Sequence, residues 1–252
     1  MEPVVTATPS GENLRRAGVV MKTLAALGGA MDSGIPKQAK TMRFKTHEQM
    51  NRFDEECLAR AMAARAVARR EEVANDSMTD ERSTTRPATI EDLRTVIHAL
   101  NAHGVPYLLI GGYALAVHGY VRGTTDIDIV FPATATAGAL VRQALSMLPD
   151  KAAADIDPAW FEEGENIRIL DEFVIDLMLN ANGQTFETLT QFAQTVDFDG
   201  LPLHTISLEG LLLTKQTARS KDVLDRSVLE RAISELRALD EARPVDSDRP
   251  KN

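Results

Sequence analysis

Tyr107-Leu-Leu-Ile-Gly-Gly-Tyr-Ala-Leu-Ala-Val-His-Gly-Tyr-Val-Arg-Gly-Thr-Thr-Asp-Ile-Asp-Ile-Val-Phe131 carries an apolar strand that ends on paired glycines and, a short helix later, a second apolar strand holding two carboxylates. Strand side chains alternate between faces, so Asp126 and Asp128 share one face while Ile127 and Ile129 take the other. Two like charges fixed about 6–7 Å apart along a strand repel each other, and half-burying them is costly unless something positive lies between. A divalent metal meets that need, since Mg²⁺ is normally held by one or two carboxylates together with waters and substrate phosphates. The competing reading is a solvated strand end, because Asp-x-Asp alone is a weak motif.

A third carboxylate stands in Phe173-Val-Ile-Asp-Leu-Met-Leu179, where Asp176 interrupts a run that otherwise reads as a buried strand. An antiparallel placement beside the Asp126 strand would bring Asp176 to the face of the other two. Three carboxylates around one or two metal ions form a clamp for in-line phosphoryl displacement. A sheet-edge acid paired with an arginine is the alternative for Asp176. Gly111-Gly112 follows a strand and opens a helix, which lets backbone N–H groups approach an anion at the positive end of the helix dipole. Arg122, Thr124 and Thr125 offer a guanidinium and hydroxyls to phosphate oxygens, with surface solvation of Arg122 as the rival reading. Neither Gly-x-x-x-x-Gly-Lys-Ser/Thr nor Gly-x-Gly-x-x-Gly occurs, so Walker-type and Rossmann-type nucleotide binding are not supported.

These pieces, with a helix after Gly111-Gly112, Arg-x-Thr-x-Asp-Ile-Asp-Ile from Arg122 and a later strand aspartate at Asp176, resemble the core of the polymerase-beta-type nucleotidyltransferases. More narrowly, they resemble the minimal nucleotidyltransferases of the AbiEii-type toxin group. C-terminal helices in that group often carry a lysine and then Arg-x-Lys-Asp-x-x-Asp, and here stand Lys215-Gln-Thr-Ala-Arg219-Ser-Lys221-Asp222-Val-Leu-Asp225. The resemblance spans about residues 89–239, and Gly111-Gly112 departs from the Gly-Ser of many relatives. It implies transfer of a nucleotide from an NTP such as ATP, with Mg²⁺ or Mn²⁺, onto a tRNA or protein acceptor, with a cognate toxin or antitoxin as a partner. Carried over by residue, Asp126 and Asp128 would hold metal and triphosphate. Asp176 would be the metal ligand or base nearest the acceptor hydroxyl, and Lys215 would neutralise phosphate charge. In its own context Lys215 follows Leu208, Leu211 and Leu212 on a helical stretch and reads equally as a snorkelling surface lysine.

At 252 residues and 44% hydrophobic, the chain can bury one good core and a small second unit. No apolar run approaches the roughly 20 residues that span a bilayer, and Lys22 and glycines interrupt the mildly apolar Val19–Met31, which therefore reads as disordered or weakly helical rather than as a signal peptide. The single Cys57 cannot form an internal disulfide, and a reducing cytoplasm is the simplest setting. Residues 1–85 carry 13 basic and 12 acidic side chains, the remainder 15 and 25. An acidic catalytic part argues against broad nonspecific nucleic-acid binding, which depends on many Lys/Arg contacts to phosphate, and leaves only local patches such as Arg219, Lys221 and Arg226.

The punctuation predicts an α+β fold with a mixed sheet: an extension over 1–85, a core over 86–206, which the resemblance implies is the nucleotidyltransferase unit, packing helices over 207–240 and a tail over 241–252. Residues 1–40, rich in Gly, Pro, Ser and Thr, read as disordered. Thr46–Val73 reads as a helix with acids early and arginines late, more as a solvated helix than as an interaction arm. Asn75–Pro87 reads as a polar linker. Thr89-Ile-Glu-Asp92 opens a helix with an apolar stripe at Leu93, Val96, Ile97 and Leu100. Strands follow at 106–110 and 126–131, helices at about 112–118 and 135–148, and a hairpin at about 166–179 turning at Asp171-Glu172. A helix starts near Gln184, a second hairpin turns at Asp199-Gly200, and helices run from Ser207 and from Ser220, with Asp240–Asn252 fraying. His118 reads as a helix cap rather than a substrate contact, and Trp160 and Phe161 as packing. His98, His103 and His204 lack metal spacing, and no nucleophile elbow accompanies any Ser-His-Asp combination.

Three readings of different classes follow: a metal-dependent nucleotidyltransferase, including the toxin of a toxin–antitoxin pair; a non-catalytic nucleotide-binding antitoxin or regulatory module; and an Asp-x-Asp glycosyltransferase using Mn²⁺ and a nucleotide sugar. Intact Asp126, Asp128 and Asp176 weigh against the second. The third leaves Gly111-Gly112 and the Lys215 region unexplained.

Overall fold

Short apolar runs separated by turn residues assemble into a seven-stranded mixed sheet flanked by helices, an α+β architecture. The computed structural model describes residues 8–28, 40–72 and 85–241. In chain order the helices are α1 (Gly11–Gly28), α2 (His47–Glu72), α3 (Ile90–Ala102), α4 (Gly111–Val117), α5 (Ala135–Leu145), α6 (Phe186–Thr190), α7 (Leu208–Thr214) and α8 (Ser220–Glu241). The strands are β1 (Thr41–Phe44), β2 (Leu108–Leu109), β3 (Asp126–Val130), β4 (Asn166–Leu170), β5 (Val174–Met178), β6 (Ala193–Phe198) and β7 (Leu201–Ile206), arranged in the order β1-β4-β5-β3-β2-β7-β6.

The central pair decides the site. β3 and β5 run parallel, with Asp128 opposite Asp176 and Ile127 opposite Ile175. The antiparallel placement expected from the sequence is therefore corrected. After β3 the chain crosses over through α5 and two 3₁₀ turns, enters the sheet as β4, and returns through the hairpin as β5. A strand that comes back after such a crossover and one reversal runs with β3. The side-chain face survives the change of direction because it depends on register, and Ile127, Ile129, Ile167, Ile169, Ile175 and Leu177 are all fully buried.

Local chemistry explains several boundaries. Thr89 caps α3 in a capping box with Asp92, and Ser207 caps α7. The β6–β7 hairpin turns at Asp199 and Gly200, both with positive φ, as a two-residue loop between twisted strands requires.

Two expectations about the N-terminal part change, and a strand not foreseen is added. Residues 1–40 were expected to be disordered, yet Gly11–Gly28 is helix α1, with Leu14 and Ala17 fully buried and Asn13 donating to the Val117 carbonyl at 2.7 Å. Gly18, which argues against a helix in sequence, is where α1 lies against Ile90; a Cβ there would come within 2.8 Å of its side chain. Residues 1–7 and 29–39, the rest of that stretch, lie outside the described residues. Thr41–Phe44 forms an edge strand paired antiparallel with β4. The helix expected at Thr46–Val73 is present as α2, but it is packed rather than solvated along its first half, with Met50, Asn51 and Cys57 buried. Most of the expected linker and tail, 75–84 and 242–252, also lies outside the described residues.

Candidate active site

Asp126, Asp128 and Asp176 project from two adjacent parallel strands, and a ligating oxygen of each lies within 4.8 Å of the others. These are hard oxygen donors of the kind that hold Mg²⁺ or Mn²⁺. The electrostatics point the same way. Burial, and then the charges of Asp126 and Asp176, push the Asp128 carboxyl up to about 8. Burial likewise raises Asp176 to about 6 against the pull of Arg168. Asp126 moves oppositely: burial works against its charge, yet Arg168, the Thr124 hydroxyl, Arg122 and Lys221 together hold it below the usual carboxylate range. The trio thus carries more negative charge than its protein surroundings offset, which suits a cation bound among the three.

The glycines sit where the site demands them. Gly111, the first residue of α4, has φ +67°, and a Cβ there would meet Asp128 Oδ2 at 1.8 Å. Only glycine lets the backbone turn so close to that carboxylate. At Gly112 a Cβ would come within 2.7 Å of the Thr124 side chain. Thr124 in turn donates from Oγ1 to Asp126 Oδ1 at 2.9 Å.

Basic groups ring the trio. Lys215 is buried at the C-terminus of α7, with Nζ 3.2 Å from Asp222 and 3.5 Å from Asp225. It is therefore a paired interior lysine, and the snorkelling reading is set aside. Arg122 donates from Nε to Asp225 at 3.1 Å, so the α8 aspartates orient two cations rather than meeting solvent. Thr217 donates from its hydroxyl to Asp222, locking that acid as well.

Arg168 was not foreseen as a site residue. It stands opposite Asp176 in the β4–β5 register and donates a fork, Nε to Oδ1 at 2.7 Å and Nη2 to Oδ2 at 2.8 Å. The two readings of Asp176 hold in part: it is paired with an arginine and it belongs to the trio, but β5 lies between β4 and β3 inside the sheet, so it is not a sheet-edge acid. Arg168 also donates to Asp54 on α2, while Arg219 donates to Asn51 on the same helix. The signal was available in Asn166-Ile-Arg-Ile-Leu170, where an arginine interrupts an apolar strand just as Asp176 does. Nothing in α2 itself marked Asn51 and Asp54.

A cavity of about 40 Å³ faces the trio, and its walls include Gly111, Arg122, Thr124, Lys215 and Lys221. Gly112 and Thr125 are not among its lining residues; the Thr125 carbonyl instead accepts from the Ala88 amide. His47, at the start of α2, reaches the same cavity, and burial followed by Lys215 lowers its imidazole to about 4. His118 bonds the Ile206 carbonyl at 2.8 Å, away from the site. Phe161 packs on Phe131, and Trp160 lies under Arg43.

No protein-family model matches the chain, and no curated protein does. A structural match exists to a Thermotoga maritima protein described as a "putative nucleotidyltransferase", with 16% identity, a TM-score of 0.35, and coverage of 60% of this chain and 92% of that one. A likeness at that level leaves the reading to rest on the geometry of the site itself. Among the described residues no helix is long and apolar enough to cross a membrane.

Proposed function

We propose that this protein is a metal-dependent nucleotidyltransferase that moves a nucleotide from an NTP to an acceptor. The observation that carries the reading is the convergence of three strand carboxylates within 4.8 Å beside Lys215, Arg122 and the glycine turn at Gly111. Asp126, Asp128 and Asp176 would hold Mg²⁺ or Mn²⁺, which when bound supplies positive charge to the triphosphate. Gly111 keeps the backbone clear of Asp128. Lys215 and Arg122, held in place by Asp222 and Asp225, meet the charge that develops on phosphate oxygens without reorganising. Arg168 fixes the orientation of Asp176 beside the other two carboxylates, where Asp176 would serve as the metal ligand or base nearest the acceptor hydroxyl. The run from Lys215 to Asp225 supports the finer proposal of an AbiEii-type enzyme acting on a tRNA or a protein, as one half of a toxin–antitoxin pair in the cytoplasm.

One observation favours a second reading. Both oxygens of Asp176 are engaged by Arg168, as they would be in a nucleotide-binding module that has lost turnover. Incubation of the purified protein with each labelled NTP, Mg²⁺ and a cell extract separates the two. Transfer of label to a macromolecule is the expected result, and RNase or protease sensitivity names the acceptor. Binding of NTP without transfer would favour the second reading. Asp126→Asn and Asp128→Asn should each lower labelling by about 10²–10³-fold, the loss typical of one pre-organised electrostatic group, and full labelling in both would refute the site.

A further inference from the structure

The cavity that faces the carboxylates, about 40 Å³, has room for an ion and a few waters, each of which needs about 10–15 Å³ of such space. It has none for a triphosphate. What closes it is the chain's own α2: His47, Asn51 and Asp54, on the first turns of that helix, form one wall. Beyond the wall opens a groove of about 730 Å³, within the range of small-molecule sites, which shares His47, Asn51 and Arg219 with the closed cavity. The start of α2 is therefore a partition between a narrow chamber, in which Asp126 and Asp128 stay partly exposed, and an open, polar groove.

The contacts that hold the partition are substrate-like. Asp54 takes donations from two nitrogens of Arg168 and lies 4.0 Å from Arg219. Asn51 accepts from Arg219. A guanidinium fork binds carboxylate and phosphate with the same planar geometry. We infer that the first turns of α2 are an internal occupant of the nucleotide site, with Asp54 and Asn51 holding the guanidiniums of Arg168 and Arg219 that phosphate oxygens take over once the helix swings away. This rests on the nucleotidyltransferase reading and adds its regulation: the resting enzyme is closed by its own N-terminal segment, and Mg²⁺-triphosphate opens it by competition.

The competition has a definite direction. A triphosphate brings several anionic oxygens to cations that α2 serves with one carboxylate and one amide, and Asp54 left beside bound phosphate would be repelled. On the other side, Met50 and Cys57 are buried, so the helix is held by packing as well as by the two polar contacts. A ligand can shift such an equilibrium only by its difference in affinity for the two states. Weakening the closed form must therefore strengthen binding.

The full-length protein is titrated with inorganic tripolyphosphate and Mg²⁺, a probe that needs no base preference, by calorimetry and by hydrogen exchange of peptides covering 47–58. Saturation of the wild-type protein should speed exchange over Met50 to Cys57, and Asn51→Ala/Asp54→Ala should bind about tenfold or more tightly, the reduced conformational cost appearing directly in the apparent affinity. Wild-type binding with α2 still protected would overturn the inference and leave the nucleotidyltransferase reading standing. A variant that melts earlier yet binds no more tightly would make Asp54 a structural partner of Arg168 alone, and would overturn it too. Absence of binding in both forms would end this inference and the nucleotide-transfer reading together.

Discussion

Gly111 is the residue at which fold and chemistry are hardest to separate. Its positive φ and the 1.8 Å approach of a virtual Cβ to Asp128 make Gly111→Ala doubly unfavourable. Left-handed backbone on a residue with a Cβ costs on the order of 1–3 kcal/mol, and Asp128 must also move. Urea unfolding should show a loss in that range, and Mg²⁺ affinity by calorimetry should fall with it; an unchanged midpoint would show that the turn relaxes freely. Lys215 is exposed to only 8% as a side chain and lies against two acids that are more buried still. Removing one partner of a buried ion pair typically costs about 3–5 kcal/mol because the other charge is left uncompensated. Lys215→Met should approach that figure in chemical unfolding, and adding Asp222→Asn should recover part of it.

At the scale of elements, α1 provides the plainest test of packing against propensity. Leu14 is fully buried, so Leu14→Ala should lose about 2–5 kcal/mol, measured by thermal or urea unfolding; a change of a few tenths would mean that α1 is detachable. The core of the sheet was legible because alternation and turn chemistry agree there. The Asp-x-Asp strand, the Asp176 strand, both hairpins and the capped helices α3 and α7 stand where their patterns place them. What escaped was long-range. The direction of β5 relative to β3 depends on the crossover through α5, and a strand of four residues at Thr41–Phe44 offers too short a run to read. The site divides in the same way. Asp126, Asp128 and Asp176 announce themselves as charges in apolar strands, whereas Asn51 and Asp54 are ordinary polar residues on a charged helix until β1 and α2 fold against the sheet.

For the whole molecule, the carboxylate trio ties stability to pH and to metal. Burial and like charge raise Asp128 to about 8 and Asp176 to about 6, above the value near 3.9 of an unfolded aspartate. A carboxyl that holds its proton more tightly when folded stabilises at low pH, and this contribution fades as pH rises through the window from about 4 to 8. The trio's contribution to the stability of the metal-free protein should therefore fall across that interval, most plainly above about 6.5, since below that His47, lowered to about 4, works in the opposite sense. Saturating Mg²⁺ should flatten the slope, because a cation among the three favours their ionised forms. Binding of Mg²⁺ near pH 7 should also release protons, seen as a dependence of calorimetric heat on buffer ionisation. Identical melting curves against pH with and without Mg²⁺ would show that no cation enters the cluster.

The edge pairing of β1 with β4 sets Thr41 against Ile169 and Phe44 against Asn166. During translation β1 must wait, without its partner, until well over a hundred further residues have emerged, and contacts so distant in sequence are slow to close. The strand that borders the Arg168 strand is thus synthesised early and docked late. The covering helix α2, which leans on Arg168 of β4 through Asp54, therefore cannot take its place until synthesis has passed that strand, only a few residues before Asp176 completes the trio.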